Sequence, residues 1–290
     1  MKLIELLSSD KPTLSCELFP PKPGAALLDA PALVRRIAAL HPAYISVTCS
    51  AGGSGNGGAT TADMANEAQN VNGIPALAHL TCAAATREQV HASLADLRKL
   101  GIENILALRG DIPEGGAFPL PGGYRHASEL MADIRDFGGF CVGGACYPEG
   151  HPESESLYQD IDNLKYKIDA GCAFLTTQMF FDNNELYSYL YKLRRAGIGV
   201  PVVAGIMPVT NAKQIQRIVA LSGSKLPARF RAIIDRFSGS SAAMAQAGVA
   251  YATEQIIDLF ANGVDHVHIY TMNKPEIAGR IMANLSEILQ

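Results

Sequence analysis

Glu17 is the residue whose surroundings most strongly favour chemistry over structure. It lies inside the apolar run LSCELF, between Cys16 and Leu18. A carboxylate within an apolar strand costs several kcal/mol unless it is paired or neutral. Because structural economy would not place one there, Glu17 is the first candidate for a functional group.

Other polar residues have structural explanations of equal or greater weight. His266 and His268 alternate along one strand face and could bind a metal ion, but no third ligand is evident, so a structural role is favoured. His79 stands alone in an apolar strand, which is more typical of a hydrogen-bonded core histidine. Arg109 and Asp111 could simply pair with each other at a strand end.

Two further patterns resemble binding sites. Asp160, Asn163 and Lys167 share one helix face by their spacing of three and four, which taken alone is more typical of a solvated face. The glycine-rich stretch 52–58 contains a formal GxGxxG after a strand, but the next strand carries no acidic residue to bind a ribose. We therefore interpret this stretch as a loop rather than a dinucleotide-binding site.

Short apolar runs alternate with amphipathic runs along the chain and predict the elements that position these residues. The predicted strands are Thr13–Phe19, Tyr44–Cys49, Ala76–Cys82, Asn104–Arg109, Phe140–Tyr147, Phe174–Phe180, Pro201–Met207 and Val267–Thr271. A helix is predicted after each strand, and two helices, Ala228–Phe237 and Ala242–Ala261, are predicted before the last strand.

This order predicts the α/β class. The strands are almost continuously apolar, as parallel strands covered on both faces are. A doubly wound sheet shares the alternation, but the count of eight favours a (β/α)₈ TIM barrel, with an extra helix before strand eight. No linker divides the sequence, so we expect one domain over residues 1–290.

In such a barrel the active site lies at the carboxyl ends of the strands. Many polar groups fall there, which favours a site spread around the rim. They are Thr48, His79, Thr81, Arg109, Asp111, Tyr147, Glu149, His151, Gln178, Tyr270, Asn273 and Lys274.

Composition narrows the class of partner and compartment. The net charge is −4 and no basic run occurs, which argues against nucleic acid but leaves room for a small anionic ligand. No stretch is long and apolar enough to cross a membrane, and the amino terminus does not resemble a signal peptide. Six cysteines without a CxxC pair favour the reducing cytoplasm and give no pattern for a zinc site.

Motifs in fixed order along nearly the whole chain resemble the methylenetetrahydrofolate reductase family. They are SCELFPPKP at 15–23, YISVT at 44–48, AHLTC at 78–82, LALRGD at 106–111, YPEGHPE at 147–153, DNLKYKIDAG at 162–171, TTQMFFD at 176–182, GIMPV at 205–209 and YTMNK at 270–274. RGD alone carries no weight, whereas LALRGD, YPEGHPE and TTQMFFD together are highly specific.

The resemblance implies a (β/α)₈ barrel with non-covalent FAD that reduces methylenetetrahydrofolate to methyltetrahydrofolate by ping-pong hydride transfer. It implies that Glu17 is the general acid, that Asp111 acts beside flavin and pterin, and that Gln178, Tyr270 and Lys274 bind folate. The implied FAD contacts are Thr48, His79, Arg109, Gly110, Asp111, Ala127, Tyr147, His151, Asp160, Asn163 and Lys167. No metal is implied.

The resemblance also implies NADH or NADPH as the electron donor, or a partner subunit that delivers electrons, and a homo-oligomer is expected. Tyr166, Ile218 and the stretch 52–58 depart from the family's pattern, which leaves the donor open. The C-terminal regulatory domain of longer relatives is not expected. Two alternatives remain: a flavin-free folate- or pterin-binding barrel of a methyltransferase, and a non-catalytic barrel subunit.

Overall fold

The computed structural model describes residues 1–21, 30–49, 60–112, 115 and 117–289, without the side chains of residues 214, 216, 217, 220 and 221. Within this part of the chain, parallel strands β1 to β8 close into a barrel in sequence order. The strands are β1 Thr13–Leu18, β2 Ile45–Val47, β3 Ala76–Thr81, β4 Asn104–Leu108, β5 Cys141–Cys146, β6 Phe174–Thr177, β7 Val202–Ile206 and β8 His266–Tyr270. The TIM-barrel prediction and each of its strands are confirmed, whereas the assignment of a single domain stays a prediction.

Helices surround the barrel. They are α1 Leu3–Leu7, α2 Ala30–Ala38, α3 Thr61–Asn66, α4 Arg87–Lys99, α5 Ala127–Phe137, α6 Leu157–Asp169, α7 Asn183–Arg195, α8 Ala212–Ser222, α9 Ala228–Phe237, α10 Ser241–Ala261 and α11 Pro275–Asn284. The two helices predicted before the last strand are α9 and α10, within one residue at each end. The π-helical segment Glu67–Val71 after α3 was not expected from the sequence.

The amino end of the barrel is closed by the short helix α1, which was also not expected. Leu3 and Leu7 are buried there against the interior residues Leu77, Leu106 and Phe174. These three belong to the first half of their strands and point inward, because alternate strand residues face opposite sides of a sheet. An apolar floor therefore lies at this end of the barrel.

A buried asparagine ties this floor together. The Oδ1 of Asn104 accepts a hydrogen bond from the backbone N–H of Leu3 at 2.7 Å. Its Nδ2 donates to the carbonyl oxygens of Met1 and Ala76, both at 3.2 Å. Asn104 is completely buried, and its hydrogen bonds position α1 on the barrel.

Two histidines of β8 are satisfied by neighbouring groups. The ring nitrogens of His266 contact the Thr13 hydroxyl and the Leu7 carbonyl, each at 2.9 Å. The Nδ1 of His268 lies 2.7 Å from Ser15 Oγ, and its Nε2 lies 3.0 Å from Ser46 Oγ. The structural role favoured for this pair is confirmed.

The tautomer of His268 follows from its partners. The hydroxyl of Ser15 donates its one hydrogen to the carbonyl of Val267, so Ser15 Oγ can only accept from His268 Nδ1–H. The bare Nε2 of His268 then accepts from the hydroxyl of Ser46. Burial lowers the pKa of His268 to about 3, with a smaller contribution from His79, so this histidine is neutral at physiological pH.

Cysteines behave as small buried residues, as expected. Cys16, Cys141 and Cys146 are buried in strands, and Cys82 and Cys172 are buried beside them. In the described part of the chain, none of the helices is both long and apolar enough for a membrane span.

Candidate active site

Glu17 lies on β1 near the carboxyl end of the barrel. Its register partners on the neighbouring strands are Ser46 and Tyr270. The Glu17 side chain is 17% exposed, and its Oε2 lies 3.9 Å from the Nε2 of His79. Burial raises the pKa of Glu17 to about 8, so the carboxyl group keeps its proton at neutral pH.

Burial also keeps the His79 ring neutral, in this case by lowering its pKa. Burial lowers its pKa to about 4, because desolvation disfavours whichever form is charged. Its Nε2 is buried and has no hydrogen-bond partner among the described residues. The interpretation of His79 as a hydrogen-bonded core histidine is therefore wrong for this nitrogen.

Arg109 does not pair with Asp111, which corrects one of the sequence-based alternatives. Both terminal nitrogens of Arg109 donate to the carboxylate of Glu153, each at 2.6 Å. Asp111 is exposed. Glu153 belongs to the loop after β5, so this bidentate pair joins two neighbouring strand ends, and the sequence did not single it out.

The turn after β4 requires glycine at position 110. Gly110 has a φ of +79°, and a Cβ there would lie 2.9 Å from the Cβ of Thr81. Only glycine adopts this backbone conformation without strain and also leaves the neighbouring strand end in place. The backbone of residues 109–111 thus lies close to β3 at the barrel mouth.

Two of the three candidate residues on helix α6 face the protein interior, and the third is exposed. Asp160 is buried, and its Oδ2 has no hydrogen-bond partner among the described residues. Lys167 donates to the carbonyl of Ala145 at 2.7 Å. Asn163 is exposed. The solvated-face alternative therefore fails for Asp160.

Burial and neighbouring charges shift the pKa values of the ionisable groups on and near α6. Burial raises the pKa of Asp160 more than nearby Lys167 lowers it. Burial also lowers the pKa of Lys167. The rings of Tyr147 and His151 meet edge to face with centroids 4.6 Å apart, and the pKa of His151 is lowered, mainly by burial.

Electrostatic contacts join these residues into one site. Burial raises the pKa of Tyr270, and nearby Glu17 and Tyr147 raise it further. Burial likewise raises the pKa of Tyr147, which also responds to the nearby groups Asp160, Arg109 and Asp111. The hydroxyl of Tyr270 donates to the Thr177 carbonyl at 2.6 Å, directly before Gln178. Most of the predicted site residues on β1, β3, β4, β5, α6 and β8, or in the loops that follow these strands, therefore belong to one continuous rim.

The remaining candidates are positioned by other contacts. Gln178 accepts from the backbone N–H of Met179 at 2.9 Å, and Lys274 donates to the Thr210 hydroxyl at 2.7 Å. The carbonyl of Thr48 accepts from Thr61, and Ala127 is the first residue of α5. In the described residues, no side-chain hydrogen bond joins these four to the cluster around Glu17.

The three departures from the family pattern differ in their surroundings. The Tyr166 side chain is 67% exposed. Ile218 is partly buried against the apolar cluster that contains Met207 and Phe230. The glycine-rich stretch 52–58 lies outside the described residues, so the loop interpretation stays a prediction.

Comparisons with known proteins match this chain to one family. Residues 2–286 match the family model described as methylenetetrahydrofolate reductase. The sequence is 33% identical to a 5,10-methylenetetrahydrofolate reductase of Pectobacterium carotovorum over 94% of this chain and 89% of that protein. It is 32% identical to a methylenetetrahydrofolate reductase (NADH) of Zea mays over 99% of this chain and 50% of that protein, so it spans about half the length of the plant relative.

A solved structure shares the fold alone. An uncharacterised protein from Clostridium thermocellum that binds two copies of 5-methyl-5,6,7,8-tetrahydrofolic acid superposes with a TM-score of 0.64 at 13% identity, over 99% of both chains. The family match across the barrel and the bacterial relatives of similar length carry more weight. This chain belongs to the methylenetetrahydrofolate reductase family.

Proposed function

We propose that this protein reduces 5,10-methylenetetrahydrofolate to 5-methyltetrahydrofolate with FAD as its cofactor. The observation that carries the proposal is Glu17, an uncharged carboxyl group at the mouth of a barrel of this family. An acid with a pKa near the working pH can both hold a proton and release it. Opening of the imidazolidine ring of the substrate needs such a proton donor.

The residues at the mouth fit the binding of FAD. Asp160 Oδ2 is a buried acceptor without a partner among the residues described, which suits a hydroxyl donor of a ribityl chain or ribose. Arg109 and Lys167 both act electrostatically on His151, and their positive charges would balance the negative charge of a pyrophosphate. The close approach of Gly110 to Thr81 leaves the backbone there free of side-chain bulk.

FAD, when bound, would supply the hydride that reduces the methylene carbon. It would be held by Thr48, His79, Arg109, Gly110, Asp111, Ala127, Tyr147, His151, Asp160, Asn163 and Lys167. The carboxylate of Asp111 lies at the exposed rim, where it would tune the flavin electrostatically.

Folate would bind opposite the cofactor. Gln178 offers an amide with both donor and acceptor groups for the pterin. Lys274 offers a cation for the glutamate carboxylates, without the bidentate geometry of an arginine. Tyr270 donates to the Thr177 carbonyl, directly before Gln178, and pairs in register with Glu17.

The electron donor is proposed to be NADH or NADPH, which would share the site with folate in turn. The name of the Zea mays relative specifies NADH, which favours that donor. A cytoplasmic location and a homo-oligomeric assembly are part of the same proposal.

Spectroscopy of the purified protein tests the proposal. We expect the visible absorption of bound oxidised flavin, its loss on anaerobic addition of NADH or NADPH, and its return on addition of methylenetetrahydrofolate. Methyltetrahydrofolate should then be recovered as the product.

The alternatives give different results in the same experiment. A colourless protein that takes up no FAD but binds methyltetrahydrofolate would be a flavin-free folate-binding barrel. A protein that binds neither would be a non-catalytic subunit. Either outcome would contradict the proposal.

A further inference from the structure

Three buried histidines lie in the barrel interior, and one of them differs from the other two. His266 and His268 have contacts of 2.7 to 3.0 Å at both ring nitrogens. The Nε2 of His79 has none among the described residues. An unsatisfied buried nitrogen costs free energy, so its persistence needs an explanation in the function of the site.

The carboxyl group of Glu17 lies close to this nitrogen. His79 Nε2 lies 3.9 Å from Glu17 Oε2, which is about 1 Å longer than a hydrogen bond. A glutamate side chain has three rotatable bonds and can close that gap. Catalytic hydrogen bonds are often long in unliganded sites and shorten in the reacting complex.

No positively charged neighbour competes with His79 for a Glu17 carboxylate among the residues that the structure describes. Among the described residues, the titratable groups that act on Glu17 or His79 are Tyr44 and Tyr270, whose raised pKa keeps them neutral, and His268, whose pKa is about 3. None of these brings a positive charge to Glu17. His79 is itself neutral at physiological pH, so it can offer an N–H but not a cation.

We propose that neutral His79 is a positioning residue for Glu17: its Nε2–H donates to Oε2, which leaves the acidic hydrogen on Oε1 and stabilises the carboxylate once that hydrogen has gone. This proposal rests on the proposed folate reduction. It assigns His79 a role toward the acid in addition to the cofactor contact that the family resemblance implies.

The proton step balances without a further reactant. The O–H bond at Glu17 Oε1 breaks, the substrate nitrogen takes the proton, and the electron pair stays on the carboxylate. His79 keeps its own hydrogen throughout. The N–H bond to Oε2 strengthens as the negative charge forms, because hydrogen bonds to charged groups are about twice as strong as neutral ones. Solvent then restores the proton on Glu17.

Two substitutions distinguish the hydrogen bond that His79 donates from the space that its side chain fills. His79→Met removes the donor and keeps an apolar side chain of similar length. His79→Gln keeps an N–H near the position of Nε2. Because the carboxylate loses its donor in His79→Met, the pKa of Glu17 should rise by about one unit.

The pH dependence of folate reduction by the flavin-loaded enzyme, measured anaerobically by rapid mixing, is the first readout. The rate should fall as the pH rises through the pKa of Glu17. In His79→Met this alkaline limb should move to higher pH and the plateau should fall about tenfold, whereas His79→Gln should restore the position of the limb. His91→Gln, on the outer surface of α4, is the control and should leave both unchanged.

The second readout needs no cofactor. The free energy of unfolding of the FAD-free protein is compared with that of Glu17→Gln across pH, in the unaltered and His79→Met backgrounds. The pH at which the difference levels off reports the folded-state pKa of Glu17, and it should be higher in His79→Met.

The proposal is overturned if His79→Met weakens FAD binding but leaves the alkaline limb and the unfolding curve of Glu17 where they were. His79 would then be a cofactor contact only. Failure of the unaltered protein to reduce folate at all would instead contradict the proposed function, and the second readout would still test the pairing with Glu17.

Discussion

Buried polar groups are treated differently at the two ends of this barrel. At the amino end, Asn104 is completely buried and makes three hydrogen bonds. At the carboxyl end, the Nε2 of His79 and the Oδ2 of Asp160 are buried without a partner in the part of the chain that the structure describes. Glu17 keeps a proton that a solvated carboxylate would lose.

The difference shows what each end contributes. A satisfied polar group fixes one geometry and contributes to stability. A buried polar group without a partner is destabilising, and at the carboxyl end of the barrel a bound ligand can supply that partner. Substitutions at the carboxyl end should therefore change activity, and substitutions at the amino end should change the free energy of unfolding.

Replacement of the acid should have the largest effect. Glu17→Gln keeps the shape of the side chain but cannot donate an acidic proton, so folate reduction should fall by about 10²- to 10⁴-fold. Flavin binding and flavin reduction by NADH should persist. Separate anaerobic measurement of the two half-reactions checks this, and near-normal folate reduction in the variant would refute the role of Glu17.

The same residue should make stability depend on pH. Its folded-state pKa is raised from 4.5 to about 8, so its contribution is fully present below pH 4.5 and is lost as the pH rises toward 8. Relative to Glu17→Gln, the protein should lose about 1.4 kcal/mol for each pH unit in the middle of this window. Urea denaturation at a series of pH values measures it, and parallel curves would show that the carboxyl group is not desolvated.

At the amino end, Asn104→Leu tests the opposite expectation. The variant leaves the N–H of Leu3 and two carbonyls without their side-chain partner, so the free energy of unfolding should fall by about 2 kcal/mol. Folate reduction per folded molecule should be unchanged. A loss of activity at full folding would mean that the two ends are not independent.

The smallest expected effect concerns the rim. Asp111→Asn removes one exposed negative charge, and the potential of the flavin should shift by about 30 mV, which corresponds to a tenfold change for two electrons. FAD affinity should change little. Redox titration against a reference dye measures the shift, and an unchanged potential would place Asp111 away from the flavin.

Periodicity was sufficient for the barrel because each strand is apolar over its length and is flanked by a helix stop. The extra helices α9 and α10 were found for the same reason. Helix α1 was missed because its five residues are too few for a helical period, and it is held by distant partners such as Asn104.

Site residues divide in a similar way. Glu17 was found because a carboxylate in an apolar strand conflicts with its local sequence. The pairing of Arg109 with Glu153 was missed because it joins residues 44 positions apart, and no local pattern encodes it. The acidic residues of YPEGHPE were the available signal for this pairing.

Closure of the barrel has a consequence for synthesis. The hydroxyl of Thr13 and the ring of His266 meet across a separation of 253 residues, and β1 pairs with β8 along five positions. The ribosome therefore completes almost the whole barrel before the first strand finds its second neighbour. Until then β1 has an unpaired edge, and such edges recruit other chains. We expect the nascent polypeptide to depend on chaperones until the last strand has emerged.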